Sequence, residues 1–100
     1  MVSREVFMLD RRAERVAANE ILYRLWLPLA QRDGGSTMRV ECECGRRGCN
    51  ATLIVAVADY AAVRAAPARR IIAPRHQAPA DRLAEFQPDY WIVEPAQLPL

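Results

Sequence analysis

A chain of 100 residues is the length of one domain, so residues 1–100 are expected to form a single fold with a single site. A composition 52% hydrophobic and 26% charged excludes wholesale disorder, collagen-like repeats and low-complexity polymers, and no apolar run approaches the roughly twenty residues of a bilayer span. Fourteen basic against twelve acidic residues leave a net charge of +2, short of the strongly basic balance of a dedicated nucleic-acid binder.

The N-terminal run Met1-Val2-Ser3-Arg4-Glu5-Val6-Phe7 lacks the basic and apolar regions of a secretory signal. Residues 10–30 read as an α-helix. Asp10 is placed to cap it, Glu14 lies in the early turns where the helix dipole favours an acid, and Pro28 marks a kink or the end. Ala13, Val16, Ala17, Ile21, Leu25 and Trp26 recur at three- and four-residue spacing. This predicts one apolar stripe toward a core, with Arg11, Arg15, Asn19 and Glu20 toward water. Residues 31–36, with Gly34-Gly35, form a connector.

Residues 37–94 then change period. Thr37–Cys42 alternates with period two and Thr52–Val57 is a short run rich in β-branched residues, which together predict a hairpin. Asp59 caps a short helix through Ala66, Pro67 stops it, and Arg69–Ala73 is a third strand. Arg82–Phe86 and Tyr90–Glu94 pair as a terminal hairpin, the alternative for Asp81–Phe86 being a helical turn and a half. Pro95 and Pro99 make residues 95–100 a frayed tail.

The bend of the first hairpin holds the segment that carries chemistry, Glu41-Cys42-Glu43-Cys44-Gly45-Arg46-Arg47-Gly48-Cys49. In a flat strand Cys42 and Cys44 would stand roughly 6.6 Å apart, whereas thiolates around one zinc ion lie roughly 3.8 Å apart. The chain must therefore bend sharply after Cys42, with Gly45 and Gly48 supplying the backbone freedom. The one histidine, His76, held between Pro74 and Pro79, completes a Cys3His set of the closed structural kind, with Zn2+ the metal that suits it. Glu41, Glu43, Asp59 or an open position are alternatives for the fourth ligand. A local Cys44–Cys49 redox pair, or inert thiols, are alternatives to a metal. Three cysteines are an odd number that no closed disulfide framework uses up, so a reducing, cytoplasmic location is expected.

Asn19-Glu20, Glu41-Cys42-Glu43-Cys44-Gly45 with Cys49, Asp59-Tyr60 with Val63-Arg64, Ala73-Pro74-Arg75-His76 and Tyr90-Trp91-Ile92-Val93-Glu94 form an ordered set. It resembles a family of small, functionally uncharacterised actinobacterial proteins with an N-terminal helix, a Cys-Glu-Cys-Gly knuckle, a later Pro-Gly-His and a terminal strand ending in Val-Glu. The resemblance implies that His76 belongs with Cys42, Cys44 and Cys49. Arg75 stands where that family usually has glycine. No activity is implied.

The resulting expectation is an α+β fold: an N-terminal helix, then a small, mostly antiparallel, zinc-pinned sheet with one short helix. The chain lacks a second histidine for a triad, a phosphate-binding glycine loop and any other enzyme signature. The expected function is a non-enzymatic binding or regulatory adaptor that meets a protein partner, or a second copy of itself, through Trp26 and the helix or through Arg46, Arg47, Arg69, Arg70 and Arg75. Neither a membrane nor a small-molecule substrate is expected. The alternatives are nucleic-acid or ribonucleoprotein binding through those arginines and a thiol redox or zinc-release sensor. All fourteen basic residues are arginines, either as the imprint of a GC-rich genome or as a surface chosen for bidentate phosphate or carboxylate contacts.

Overall fold

The computed structural model describes residues 4–33 and 36–95, with the helical side chains described from Arg11 to Arg32. Gly34-Gly35 of the expected connector and residues 96–100 of the expected tail lie outside the described residues. The elements follow in the order α1 (Arg4–Asp33), β1 (Thr37–Glu41), β2 (Thr52–Ala56), α2 (Val57–Arg64), β3 (Arg70–Ile72), β4 (Arg82–Phe86) and β5 (Trp91–Glu94). The fold is α+β, and the terminal segment is a hairpin rather than a helical turn.

In the antiparallel β1–β2 hairpin, Met38 pairs with Val55 and Val40 with Leu53. The period-two alternation buries those four side chains on one face. Helix α2 follows without a loop, and its Val57, Tyr60 and Val63, three residues apart, are buried against the same core. Ala56 is its N-cap residue and caps through no side chain. Asp59 therefore lies in the first turn, not at the cap, because β2 runs directly into the helix.

The second sheet has the antiparallel order β3-β5-β4, so the strands form two small sheets instead of one. Ile71 and Ile92, paired across β3–β5, face the main core, while Ile72 and Val93 face Cys42 and Cys44. This short sheet separates the hydrophobic core from the cysteine segment. β4 is an edge strand with an irregularity between Leu83 and Glu85, the kind of break in pairing that bends an edge away from further pairing.

The largest departure from the sequence reading concerns α1. The helix starts at Arg4, so Asp10 is interior to it and not its cap, and it continues through Pro28 to Asp33. Its orientation is also inverted. Asn19 is 0% and Arg12 4% exposed, whereas Ile21 is 62% and Leu25 68% exposed. Ala13 and Ala17 face outward too. Leu22, Tyr23, Leu27 and Ala30 make the apolar contacts with the core. The physical reason lies at the open edge of β1 at Glu41 and in the cysteine segment that follows it, whose backbone groups need partners that apolar side chains cannot supply. The amide of Asn19 meets the Glu41 backbone as a neighbouring strand would. Its Oδ1 accepts from the Glu41 N–H and its Nδ2 donates to the Glu41 carbonyl, both at 2.8 Å.

Replacing Asn19 with leucine is accordingly expected to destabilise the protein by about 2–3 kcal/mol, since it strands buried polar groups. Urea unfolding measures this directly. An apolar inward stripe would instead make Asn19→Leu neutral or stabilising.

Candidate metal centre

Past Glu41 the chain keeps one more hairpin bond, Cys42 N–H to the Ala51 carbonyl at 3.0 Å, and then turns. Gly45 (φ 76°) and Gly48 (φ 78°) take the left-handed conformation, which a glycine adopts without the steric cost a Cβ would impose. The Cys49 N–H closes the turn onto the Arg46 carbonyl at 3.2 Å. Three cysteines spread over eight positions thereby converge.

The donor atoms of Cys42, Cys44, Cys49 and His76 all lie within 4.8 Å of one another, so the four side chains could hold a metal ion. The sulfurs of Cys42 and Cys49 each stand 3.6 Å from Nδ1 of His76. Cys42 and Cys44 are buried, Cys49 and His76 half-buried. All three cysteines are free thiols. Backbone amides support two of the sulfurs: the Ala73 N–H donates to Cys42 Sγ at 3.1 Å and the Arg46 N–H to Cys44 Sγ at 3.4 Å. The hydrogen bond from Cys42, reinforced by the Arg46 N–H and opposed by burial, holds the Cys44 thiol well below its ordinary range. The same contact, with burial, pushes Cys42 well above it. The two thiols thus share one proton.

The carboxylates weighed as fourth ligands are committed elsewhere. Glu41 pairs with Arg15 at 3.1 Å, and the Tyr90 hydroxyl meets Asp59 at 3.5 Å. Glu43 lies between two of the cysteines, and its fully buried side chain is occupied by other partners. Its Oε2 accepts from Arg64 Nη2 at 2.6 Å and from Asn19 Nδ2 at 2.8 Å, and its Oε1 from the Ile71 N–H at 2.9 Å. The Glu43 N–H also donates to the Ile71 carbonyl at 2.8 Å. Glu43 therefore joins the knuckle to β3. Burial alone would lower the Arg64 pKa, but the Glu43 hydrogen bond and charge more than offset it, and the guanidinium also lies 5.1 Å from the Tyr60 ring centroid.

Helix α1 holds the knuckle by its carbonyls. Arg12 Nε donates to the Cys44 carbonyl at 3.0 Å, Arg15 Nη2 to that of Cys49 at 3.3 Å, and Asn19 Nδ2 to that of Glu41. Positions i, i+3 and i+7 lie on one face of a helix. The remaining donors of Arg12 fork onto Asp81, Nη1 to Oδ1 at 3.0 Å and Nη2 to Oδ2 at 2.5 Å. Asp81 closes the loop that carries His76, accepting the Ala78 N–H at 2.8 Å. One buried guanidinium thus links the cysteine loop to the histidine loop. Arg46 adds an outer tie, its Nη2 donating to the carbonyls of Arg75 and Gln77 at 3.2 and 3.4 Å.

Arg12, Asn19, Arg64 and Asp81 were not among the site residues legible in the sequence, although Asn19 and Arg64 belong to the ordered set noted above. Polar residues on the inward helix face gave the available signal. Of the arginines proposed for a partner, Arg46, Arg47 and Arg75 are exposed at the knuckle and the His76 loop. Arg69 instead pairs with Glu94 at 3.2 Å and Glu85 at 3.6 Å. Arg70 donates to the carbonyls of Pro67 and Arg69. Trp26 is partly exposed on α1. Among the described residues no helix is long and apolar enough to cross a membrane.

No family model matches the chain, and no curated protein or solved structure is significantly similar to it.

Because Arg12 positions both ligand loops without touching the donor atoms, Arg12→Ala is expected to weaken divalent-ion binding by about 10–100-fold. Competition against a chromogenic chelator checks it, with an unchanged stoichiometry showing that the four ligands remain.

Proposed function

We propose that this protein is a zinc-stabilised, non-enzymatic binding module that acts through protein–protein contacts in the cytoplasm. One observation carries the zinc reading: two cysteine sulfurs stand at the same 3.6 Å from a single histidine nitrogen. A ring N–H cannot point at both sulfurs at once. A tetrahedral zinc ion, with Zn–S of about 2.3 Å and Zn–N of about 2.0–2.1 Å, sets S···N edges of about 3.5–3.6 Å. Three thiolates and an imidazole suit zinc among the metals available to a reducing compartment. A filled Cys3His set leaves no open position for a substrate, which favours a structural role. Glu43, the carboxylate between Cys42 and Cys44 in sequence and so the candidate base, is locked in its ion pair with Arg64.

The zinc reading predicts one tightly held Zn2+ per chain by native mass spectrometry of untagged protein, weakened or lost in both Cys49→Ser and His76→Ala. A metal-free wild-type chain that still folds would overturn it. The sign of the pH dependence follows from Cys42, whose raised thiol is protonated at neutral pH. Zinc must displace that proton, so loading releases protons and affinity falls as pH falls. Calorimetry in buffers of different ionisation enthalpy counts the protons released.

The protein-binding reading rests on the weakness of the basic patch. Of its arginines, Arg69 is paired with Glu94 and Glu85 and Arg70 donates to the carbonyls of Pro67 and Arg69, and the knuckle contains no aromatic side chain on which a base could stack. Fluorescence anisotropy with labelled single-stranded DNA and RNA is expected to show no tight binding at moderate salt. Affinity that is high at low salt and falls steeply as salt rises would favour a nucleic-acid module instead.

A further inference from the structure

The outward face of α1 carries a seam that the other described residues leave largely open. Glu14, Ala18, Ile21, Leu25, Pro28 and Arg32 follow one another at alternating spacings of four and three residues, the a/d repeat of a two-helix contact. The seam spans about 27 Å at 1.5 Å per residue. Ile21 and Leu25 are its centre and are among the most exposed large apolar side chains of the described residues, while Glu14 and Arg32 are exposed at its two ends.

We infer that this face pairs antiparallel with the same face of a second copy of the chain. The assignment rests on the reading above that the module works through protein–protein contacts, and it identifies the partner from the seam's own order. An antiparallel copy centred at the level of Tyr23 sets Ile21 against Leu25 twice. It also sets Ala18 against Pro28, so that a small side chain meets the proline ring. Glu14 then meets Arg32 at both ends, giving two symmetric ion pairs of opposite sign. A parallel copy would place Glu14 on Glu14 and Arg32 on Arg32. The seam is thus complementary to itself in one direction only, the condition for a closed two-fold interface. Its helix-only contact places it at the low end of specific interfaces, a reversible association in the micromolar range.

Sedimentation velocity across micromolar to millimolar protein, with zinc content read on the same samples by native mass spectrometry, tests the inference. The wild type is expected to show a concentration-dependent monomer–dimer equilibrium. Leu25→Glu is expected to abolish it, and Glu14→Arg or Arg32→Glu each to weaken it roughly tenfold by turning two attractive pairs repulsive. The double variant Glu14→Arg/Arg32→Glu is expected to recover the wild-type dimer, since the pairs are re-formed with the charges exchanged. A wild type that stays monomeric throughout would overturn the pairing and leave the face to a different partner. A double variant as weak as the single ones would overturn the antiparallel register. All of these substitutions are exposed, so unchanged zinc content separates a failure of this interface from a failure of the zinc reading.

Discussion

The buried carboxylate of Glu43 is the constraint around which the molecule is arranged. Its side chain is fully buried between elements that are distant in sequence. A charge taken out of water costs several kcal/mol unless other groups replace its hydration. Those groups come from three separate elements: Arg64 on α2, Asn19 on α1 and the Ile71 amide on β3. Satisfying one carboxylate therefore requires both helices and the second sheet to be in place. Neither a glutamine nor an aspartate would meet the same demand, the first for want of charge and the second for want of reach.

The thiols of the same segment impose a second, independent requirement. Cys42, Cys44 and Cys49 come from the hairpin end and His76 from the loop after β3, so a metal ion would fasten together two small sheets that share little direct pairing. They are joined at Glu43 and Ile71, by one backbone bond from the Glu43 N–H to the Ile71 carbonyl and one bond from the Ile71 N–H to the Glu43 carboxylate. In a protein of this size the net stability is about 5–15 kcal/mol, and structural zinc is worth an apparent 10–16 kcal/mol or so in small peptides. The polar network and a bound metal ion would thus act on one loop together. Arg12 joins them by reaching both the Cys44 carbonyl and Asp81.

How much of this was legible in the sequence depended on the period of the signal. The β1–β2 alternation, the short third strand and the terminal hairpin follow from period-two patterning and turn residues, and the structure has all of them within a residue or two. The cysteine spacing demanded a bend with glycines at its corners, and both glycines have positive φ. The helix face was misread because an apolar stripe is taken as the buried one when the partner surface is apolar. Here the partner surface is a loop rich in unpaired carbonyls, and arginine and asparagine are the side chains able to meet it. The cap positions were misread for a related reason: Asp10 and Asp59 have the right chemistry, but the helices begin several residues earlier for Asp10 and two for Asp59. Arg75 is a further instance. It adopts φ 68°, a conformation costing a side-chain-bearing residue roughly 1–2 kcal/mol, and its carbonyl accepts from Arg46, a compensation visible only in three dimensions.

The orientation of α1 also links the cysteine segment to the outer surface. Once Arg12, Arg15 and Asn19 are spent on the carbonyls of the knuckle, the opposite face of α1 must look outward, and that face is where Ile21 and Leu25 lie. An exposed apolar seam on a small protein is ordinarily a liability. In this fold it is the necessary consequence of using the polar face to position ligands. A knuckle held in one conformation fixes the rotation of α1 about its axis, and that rotation decides which side chains another molecule meets. The chemistry at the cysteines and the shape of the outer surface are therefore set by the same three donors.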